Sequence, residues 1–288
     1  MQTVGIVLNV KRQDAIKVFG WLLEYLEQRN ITVLLPADNA IAVERPDLAV
    51  DDAQFKARVD VAISLGGDGT LLSTARYLAG TEKPVLGVNL GQLGFLTDVE
   101  LGLLPEGIEL LLTGQYHLEK RTMLETAVIR QGQEISRHSA LNDVVIAKGA
   151  IARLIRLKTY VDDKYVSTFP ADGLIVSSAT GSTGYSLSAG GPLVHPTLPV
   201  IVITPICPHT LGARSLIIAD DQQVKVIVQA NHSEMLLTVD GQRGVNLWPD
   251  DTIIVRKAPY VTNLIKVSGR DYFEVLHTKM ASNGTKYD

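Results

Sequence analysis

The apolar run Val61-Ala-Ile-Ser-Leu65 passes directly into Gly66-Gly-Asp-Gly-Thr70, and then into Leu71, Leu72, Ala75 and Leu78 at helical spacing. That pattern predicts a buried strand, a tight turn and a helix start. Glycines at such a corner let the backbone come close to a ligand, and a helix N-terminus offers unpaired N–H groups to phosphate. Asp68, in the middle of the turn, then faces whatever binds there. Read by itself, the pentapeptide is also a plain βα corner in which Asp68 or Thr70 caps the helix.

The neighbouring sequence extends the same theme. Val4-Gly-Ile-Val-Leu-Asn-Val10 predicts a strand, residues 14–29 a helix with Ala15, Ile16, Phe19, Leu22, Leu23 and Leu26 on one face, and Ile31-Thr-Val-Leu-Leu35 a second strand. The stretch 36–57 reads as a loop with a short helix, and Pro84-Val-Leu-Gly-Val-Asn89 as a further strand. Alternating strands and helices imply βαβ units and a doubly wound parallel sheet, whose ligands sit beyond the carboxyl ends of the strands. Asp68 lies at such an end, and so does Asn89, which heads a second glycine-rich loop running to Phe95. No G-x-G-x-x-G follows the first strand, so a dinucleotide held in the Rossmann manner is not expected.

Beyond about residue 115 the period changes. Short apolar runs at 122–130, 143–147, 153–161, 172–178, 200–206, 223–229, 235–239 and 252–257 are separated by turn residues such as Asp162-Asp163 and Asp240-Gly241. Val224, Val226 and Val228 alternate with Lys225, Ile227 and Gln229, the mark of a half-buried strand. The expectation is therefore an α/β domain over 1–115 and an all-β domain over 116–261. Two last strands, 262–267 and 272–276, can complete the first domain up to about residue 280, with a frayed polar tail at 281–288.

Composition narrows the function classes. The 288 residues carry a formal charge of −4 with no basic block, so neither nucleic acid nor an anionic membrane is favoured as partner. No apolar run approaches the ~20 residues of a membrane span, and the N-terminus lacks a signal-peptide pattern. The single cysteine, Cys207, cannot form an intrachain disulfide and reads as a small buried apolar residue. A cytoplasmic protein fits these features.

Two further stretches carry chemistry. Asn142-Asp143 opens the run Val144-Val-Ile146; it is an Asx turn feeding a strand, or an amide and carboxylate that together hold vicinal sugar hydroxyls. Asp172-Gly-Leu-Ile-Val-Ser-Ser-Ala-Thr-Gly181-Ser-Thr-Gly-Tyr185-Ser-Leu-Ser188 runs from a strand into hydroxyls, small residues and one aromatic, which suits a nucleotide better than a surface loop. His209 and His195 have no partner at metal-ligand spacing and read as structural. Asp240-Gly241-Gln242 reads as a hairpin turn.

Taken together these pieces resemble the NAD kinase family. Gly66–Thr70 is shared more widely, with lipid kinases and, in related form, with 6-phosphofructokinases. The discriminating pieces are Leu90-Gly-Gln-Leu-Gly-Phe-Leu96, Asn142-Asp143, Asp172 with Thr180-Gly-Ser-Thr-Gly-Tyr185, Pro208-His-Thr-Leu211 with Arg214, and Val239-Asp-Gly-Gln242, in family order over roughly residues 60–245. The resemblance implies an α/β domain and a β domain with NAD bound between them, in homodimers or homotetramers. It implies transfer of phosphate from ATP, or in some members polyphosphate, to the 2′-hydroxyl of the adenosine ribose, with Mg²⁺ carried by the ATP and no protein metal site. By resemblance Asp68 is catalytic, as base or positioner. Gly66, Gly67, Gly69 and Thr70 cradle phosphate. Asp68, Gly69, Phe95, Asn142, Asp143, Arg153, Asp172, Thr183, Gly184, Tyr185, Ser186, Leu187, Ser188 and Gln242 line the NAD site.

Four positions depart from the family pattern: Asp143 where Glu is common, Gly184 where Ala is usual, Ala179 where Pro is usual, and Pro170 where some members carry a basic residue. The alternatives are a lipid or sugar kinase that shares the turn, and an NAD(P)-binding sensor without turnover.

Overall fold

A computed structural model describes residues 1–92, 94–149, 154–210, 212–230 and 234–282. The chain divides into two compact units, one of residues 1–120 and 262–288, the other of residues 121–261. The first is an α/β unit with a parallel sheet, and the second is rich in antiparallel strands.

In the first unit the strands Thr3–Leu8, Thr32–Pro36, Ala49–Val50, Val61–Gly66 and Pro84–Asn89 pair in parallel. The last residues of the long strand Thr252–Lys266 join beside Pro84–Asn89, Asn263 standing opposite Pro84. The spatial order across this sheet is 262–266, 84–89, 61–66, 3–8, 32–36, 49–50. Chain order therefore reverses between Thr3–Leu8 and Val61–Gly66, the switch point of a doubly wound sheet. Helix Gln13–Glu27 buries Ala15, Phe19, Leu22, Leu23 and Leu26, an i, i+4, i+7, i+8, i+11 stripe packed on Val4, Ile6, Ile63 and Leu65 of the sheet.

Some local expectations give way. The stretch 36–57 holds two helices, Ala37–Ala42 and Asp52–Arg58, with Ala49–Val50 between them. Residues 272–276, expected as a strand, begin the helix Tyr272–Ser282. A mostly apolar pentad, Tyr272-Phe-Glu-Val-Leu276, does not distinguish strand from helix. The deciding signal is a capping box: the Asp271 carboxylate accepts the Glu274 N–H at 2.9 Å while the Glu274 carboxylate accepts the Asp271 N–H at 3.3 Å. The helix includes residues 281 and 282, where a frayed tail was expected to start; 283–288 lie outside the described residues.

The second unit contains two antiparallel arrays. One runs Leu216–Ala219, Val200–Ile206, Gly173–Ser178, Asp143–Lys148, Met235–Val239, Arg243–Leu247. The other contains Lys164–Ala171, Ile155–Val161, Val224–Gln229 and the first part of Thr252–Lys266, with the hairpin of His117–Arg130 and Gln133–Ala140 attached. Alternate side chains of both arrays meet in one core, including Val144, Ile146, Leu174, Val176 and Leu237 from the first and Leu157, Val226 and Ile253 from the second. Strands Gln133–Ala140 and Arg243–Leu247 have no counterpart among the apolar runs, because each is largely exposed and polar; the exposed edge strand Leu216–Ala219 is apolar but only four residues long, and it too has none.

Candidate functional site

In the first unit the Val61–Gly66 strand is buried throughout, and a single residue separates it from the helix Asp68–Tyr77. Gly67 is the extended residue between them, and its carbonyl accepts the Thr70 and Leu71 N–H groups at 3.0 and 3.1 Å. Gly66 tolerates no side chain, since a Cβ there would stand 2.2 Å from the Thr70 hydroxyl. Asp68 is thus the first residue of a helix whose N-terminal N–H groups, at Gly69 and Thr70, border the turn.

The Asp68 carboxylate does not point at random. It accepts the backbone N–H groups of Phe95 at 2.8 Å, Leu96 at 3.1 Å and Thr97 at 3.3 Å. The second glycine loop is therefore the seat of this carboxylate. Gly94 makes that seat possible, because a Cβ there would fall 1.9 Å from Asp68 Oδ1. In the sequence Gly94 is only one letter of a motif. Next to it, Asp98 is buried and ion-paired with buried Lys266 at 2.9 Å, and also accepts the Val267 and Ser268 N–H groups. Burial pushes the Asp98 carboxyl up, but the Lys266 charge and the Ser268 and Val267 N–H groups outweigh it and hold it below the ordinary range. Phe95 lies half-buried, its ring 6.5 Å from that of Tyr272.

In the second unit Asn142 and Asp143 stand where the Asp143–Lys148 strand begins. The N–H groups of Leu141, Asn142 and Asp143 all donate to the Asp240 carboxylate, at 3.0, 2.8 and 3.1 Å. Asp240 does sit in a hairpin turn, with Asp240 and Gly241 both at positive φ, but it is also buried and anchors the Asn142-Asp143 pair. From the other side the Asn142 carbonyl accepts the Ser178 N–H at 2.9 Å, and a Cβ on Gly181 would lie 2.1 Å from that carbonyl oxygen. The Tyr185 N–H donates to the Asp143 carboxylate. Asn142, Asp143, Val145, Tyr185, Thr238, Asp240 and Gly241 enclose a recess of about 300 Å³. Burial first, and then the Asp240 charge, push the Asp143 carboxyl up to about 7 against the Tyr185 N–H.

Not every expected residue joins this recess. Gly184 does, a Cβ there falling 3.4 Å from Asn142 Nδ2 and 3.5 Å from Asp143 Oδ2. Thr183 ends the 3-10 turn Thr180–Thr183 and is half-buried. Within the short helix Tyr185–Ser188, Tyr185, Leu187 and Ser188 are exposed. Ser186 faces inward and shares a hydrogen bond with Thr204 at 2.9 Å. Gln242 is exposed on the hairpin. Asp172 pairs with Lys148 at 2.6 Å, at the opposite end of the Asp143–Lys148 strand from Asn142. Five residues at ~3.3 Å each separate those ends, so one ligand touching both must lie along the strand. Arg153 lies outside the described residues, as does Leu211. Cys207, expected to be buried, is exposed at φ 43°, one residue past the Val200–Ile206 strand. Among the described residues no three His, Cys, Asp or Glu side chains are grouped to hold a metal ion, and no helix is long and apolar enough to cross a membrane.

A carboxylate seated in a glycine turn at the end of a central parallel strand, with an amide–carboxylate recess in a β unit, defines a protein that handles nucleotide phosphates and sugar hydroxyls. Comparison with known proteins gives the family. Residues 4–116 match the model of the ATP-NAD kinase N-terminal domain, and residues 141–267 that of the C-terminal domain. An NAD kinase of Moorella thermoacetica is 43% identical over 288 residues, 100% of this chain and 92% of that one. An NAD kinase of Heliobacterium modesticaldum is 46% identical over 281 residues, 97% of this chain and 99% of that one. The fold is shared with the crystal structure of a yeast NADH kinase complexed with NADH, at 24% identity and a TM-score of 0.91, covering 100% of this chain and 89% of that one. The chain belongs to the NAD kinase family.

Proposed function

We infer that the chain transfers the terminal phosphoryl group of ATP to the 2′-hydroxyl of the adenosine ribose of NAD, forming NADP. Beyond family membership, the observation that carries this reading is the Asp68 carboxylate, fixed by three N–H groups at the head of a helix in a glycine turn. Phosphoryl transfer passes through a loose transition state, so positioning and charge neutralisation supply most of the rate. In this reading Gly66, Gly67, Gly69 and Thr70 line the phosphate cradle, with N–H groups of the glycines as donors, and Mg²⁺ would be carried by the ATP.

A carboxylate has about four acceptor sites. Three N–H donors leave Asp68 roughly one for a substrate hydroxyl, a state that favours orienting the 2′-OH and taking its proton late. Asn142 and Asp143 supply an amide and a carboxylate to a vicinal diol, and Tyr185 offers an exposed ring for stacking. Phe95, Gly184, Thr183, Gln242 and Asp172 complete the NAD contacts in this reading, with Ser186 acting from behind through Thr204.

The test is direct. Incubation with ATP, Mg²⁺ and NAD should yield NADP, read with an NADP-specific dehydrogenase. Asp68→Asn should lower kcat by about the 10²–10⁴ of a positioned base while NAD still binds. Saturable NAD binding without NADP would move the chain to the sensor reading, and full turnover by Asp68→Asn would remove Asp68 from its role. We further propose a cytoplasmic homodimer or homotetramer. The exposed Leu216 and Ile217 on the edge strand Leu216–Ala219 support self-association, which light scattering after gel filtration measures.

A further inference from the structure

The switch point of the parallel sheet lies between Thr3–Leu8 and Val61–Gly66. Helices that follow the two strands run to opposite faces there, which opens a crevice beyond their carboxyl ends. The turn Gly66–Thr70 forms one side. The other side is the segment after the first strand, Asn9-Val-Lys-Arg12, on which Asn9 N–H donates to the Leu65 carbonyl at 3.0 Å. The backbones are close: a Cβ on Gly66 would lie 3.3 Å from Asn9 Cβ.

Arg12 is fixed in this crevice. Its Nε and Nη2 donate to the two oxygens of Asp14 at 2.9 and 2.6 Å, and Nη2 also to the Leu90 carbonyl at 2.8 Å. The fork is thereby held over Gly91, where a Cβ would lie 3.1 Å from Nη1. Three of the five guanidinium N–H groups are used in these contacts, and the two on Nη1 stay available to donate to a phosphate oxygen from a guanidinium already held in place. Lys11, exposed beside it, adds a second positive charge.

An independent observation comes from the strand on the other side of the turn, Pro84–Asn89. Asn89, in register with Gly66, is 3% exposed. Its Oδ1 accepts the Gly91 N–H at 3.0 Å, which identifies the oxygen and leaves Nδ2 as the donor. That Nδ2 has no hydrogen-bond partner among the described residues. A buried donor without a partner costs free energy unless a ligand supplies the acceptor. The nearest catalytic charge does not oppose an anion here, because Asp68 is turned into the N–H groups of residues 95–97.

We propose that Arg12, Lys11 and the Asn89 amide seat the phosphate chain of the phosphoryl donor, the linked phosphates left behind when the terminal group moves. This deepens the phosphotransferase reading of the Gly66–Thr70 turn and rests on it. ATP and inorganic polyphosphate share the chemistry.

Magnesium tripolyphosphate is the probe, titrated calorimetrically into the full chain and into Arg12→Gln and Asn89→Asp. The second variant keeps the Gly91 contact and replaces the donor by an anion. Wild type should bind one tripolyphosphate in competition with ATP, and each variant should bind it about ten- to a hundredfold more weakly. In separate assays with Mg-ATP and Mg-polyphosphate, KM for whichever donor the wild type uses should rise by the same factor, with KM for NAD constant within about twofold. A well-folded Arg12→Gln with wild-type tripolyphosphate affinity and donor KM overturns the proposal, as does an effect falling on NAD alone. Wild type that makes no NADP yet binds tripolyphosphate through Arg12 removes the kinase reading and keeps the seat. Wild type that makes NADP with a donor KM indifferent to Arg12 does the reverse.

Discussion

Asp240 Oδ1 accepts the backbone N–H groups of Asn142 and Asp143 together, at 2.8 and 3.1 Å, while its charge faces the buried Asp143 side chain. One carboxylate thus builds the start of a strand and raises the proton affinity of its neighbour. The Asp143 carboxyl sits at about 7 in the fold against 3.8 for the unperturbed group.

The sign of the resulting pH dependence follows. Between those two values the folded state binds a proton that the unfolded state has released, so Asp143 contributes stability that is complete below about 4 and is lost as pH rises through about 7. Urea unfolding of the ligand-free protein should show that loss, on the order of a few kcal/mol, and Asp143→Asn should flatten it. In the same range the ionised Asp143 gains acceptor capacity, so KM for NAD should fall as pH rises. An unchanged stability slope in Asp143→Asn would remove the group from this role.

Asp98 works in the opposite direction. Its carboxyl is held below the ordinary range, so its contribution is present at neutral pH and is lost as pH falls below about 4. Lys266→Met leaves that buried carboxylate with N–H partners but no counter-charge. Breaking such a pair from one side costs roughly 3–5 kcal/mol. Urea unfolding of the first unit should register it, and Asp98→Asn combined with Lys266→Met should be less destabilised than Lys266→Met alone. Equal stability of wild type and Lys266→Met would show that the two N–H groups suffice.

What could be read from the chain before its structure was known divides by the distance over which each signal acts. Gly66–Thr70 and Asn142-Asp143 were legible because their turn chemistry is local, a few residues deciding the conformation. Asp240 read as a hairpin because its other function requires Met235–Val239 to pair with Asp143–Lys148, nearly a hundred residues earlier in the chain. Gly94 was silent for the same reason: its need to be glycine comes from Asp68, 26 residues before it. The polar strand Gln133–Ala140 carries no apolar alternation, and in Tyr272–Ser282 the capping residue Glu274 stands inside a mostly apolar pentad.

Gly94 gives the sharpest test of how Asp68 is held. A Cβ at residue 94 would stand 1.9 Å from Asp68 Oδ1, 2.5 Å from Cγ and 2.8 Å from Oδ2, so no small rotation of the carboxylate relieves the contact. The side chain must leave the Phe95, Leu96 and Thr97 N–H groups. Gly94 itself has no positive φ to give up, so Gly94→Ala acts through this displacement rather than through backbone strain. Misplacing a reacting group by about an ångström costs on the order of 10² in rate, and kcat of Gly94→Ala should fall by that factor with KM for NAD little changed. Because the two residues act as one unit, adding Gly94→Ala to Asp68→Ala should cost almost nothing further. A double variant whose losses simply multiply would mean that Gly94 shapes the loop for some purpose other than seating Asp68.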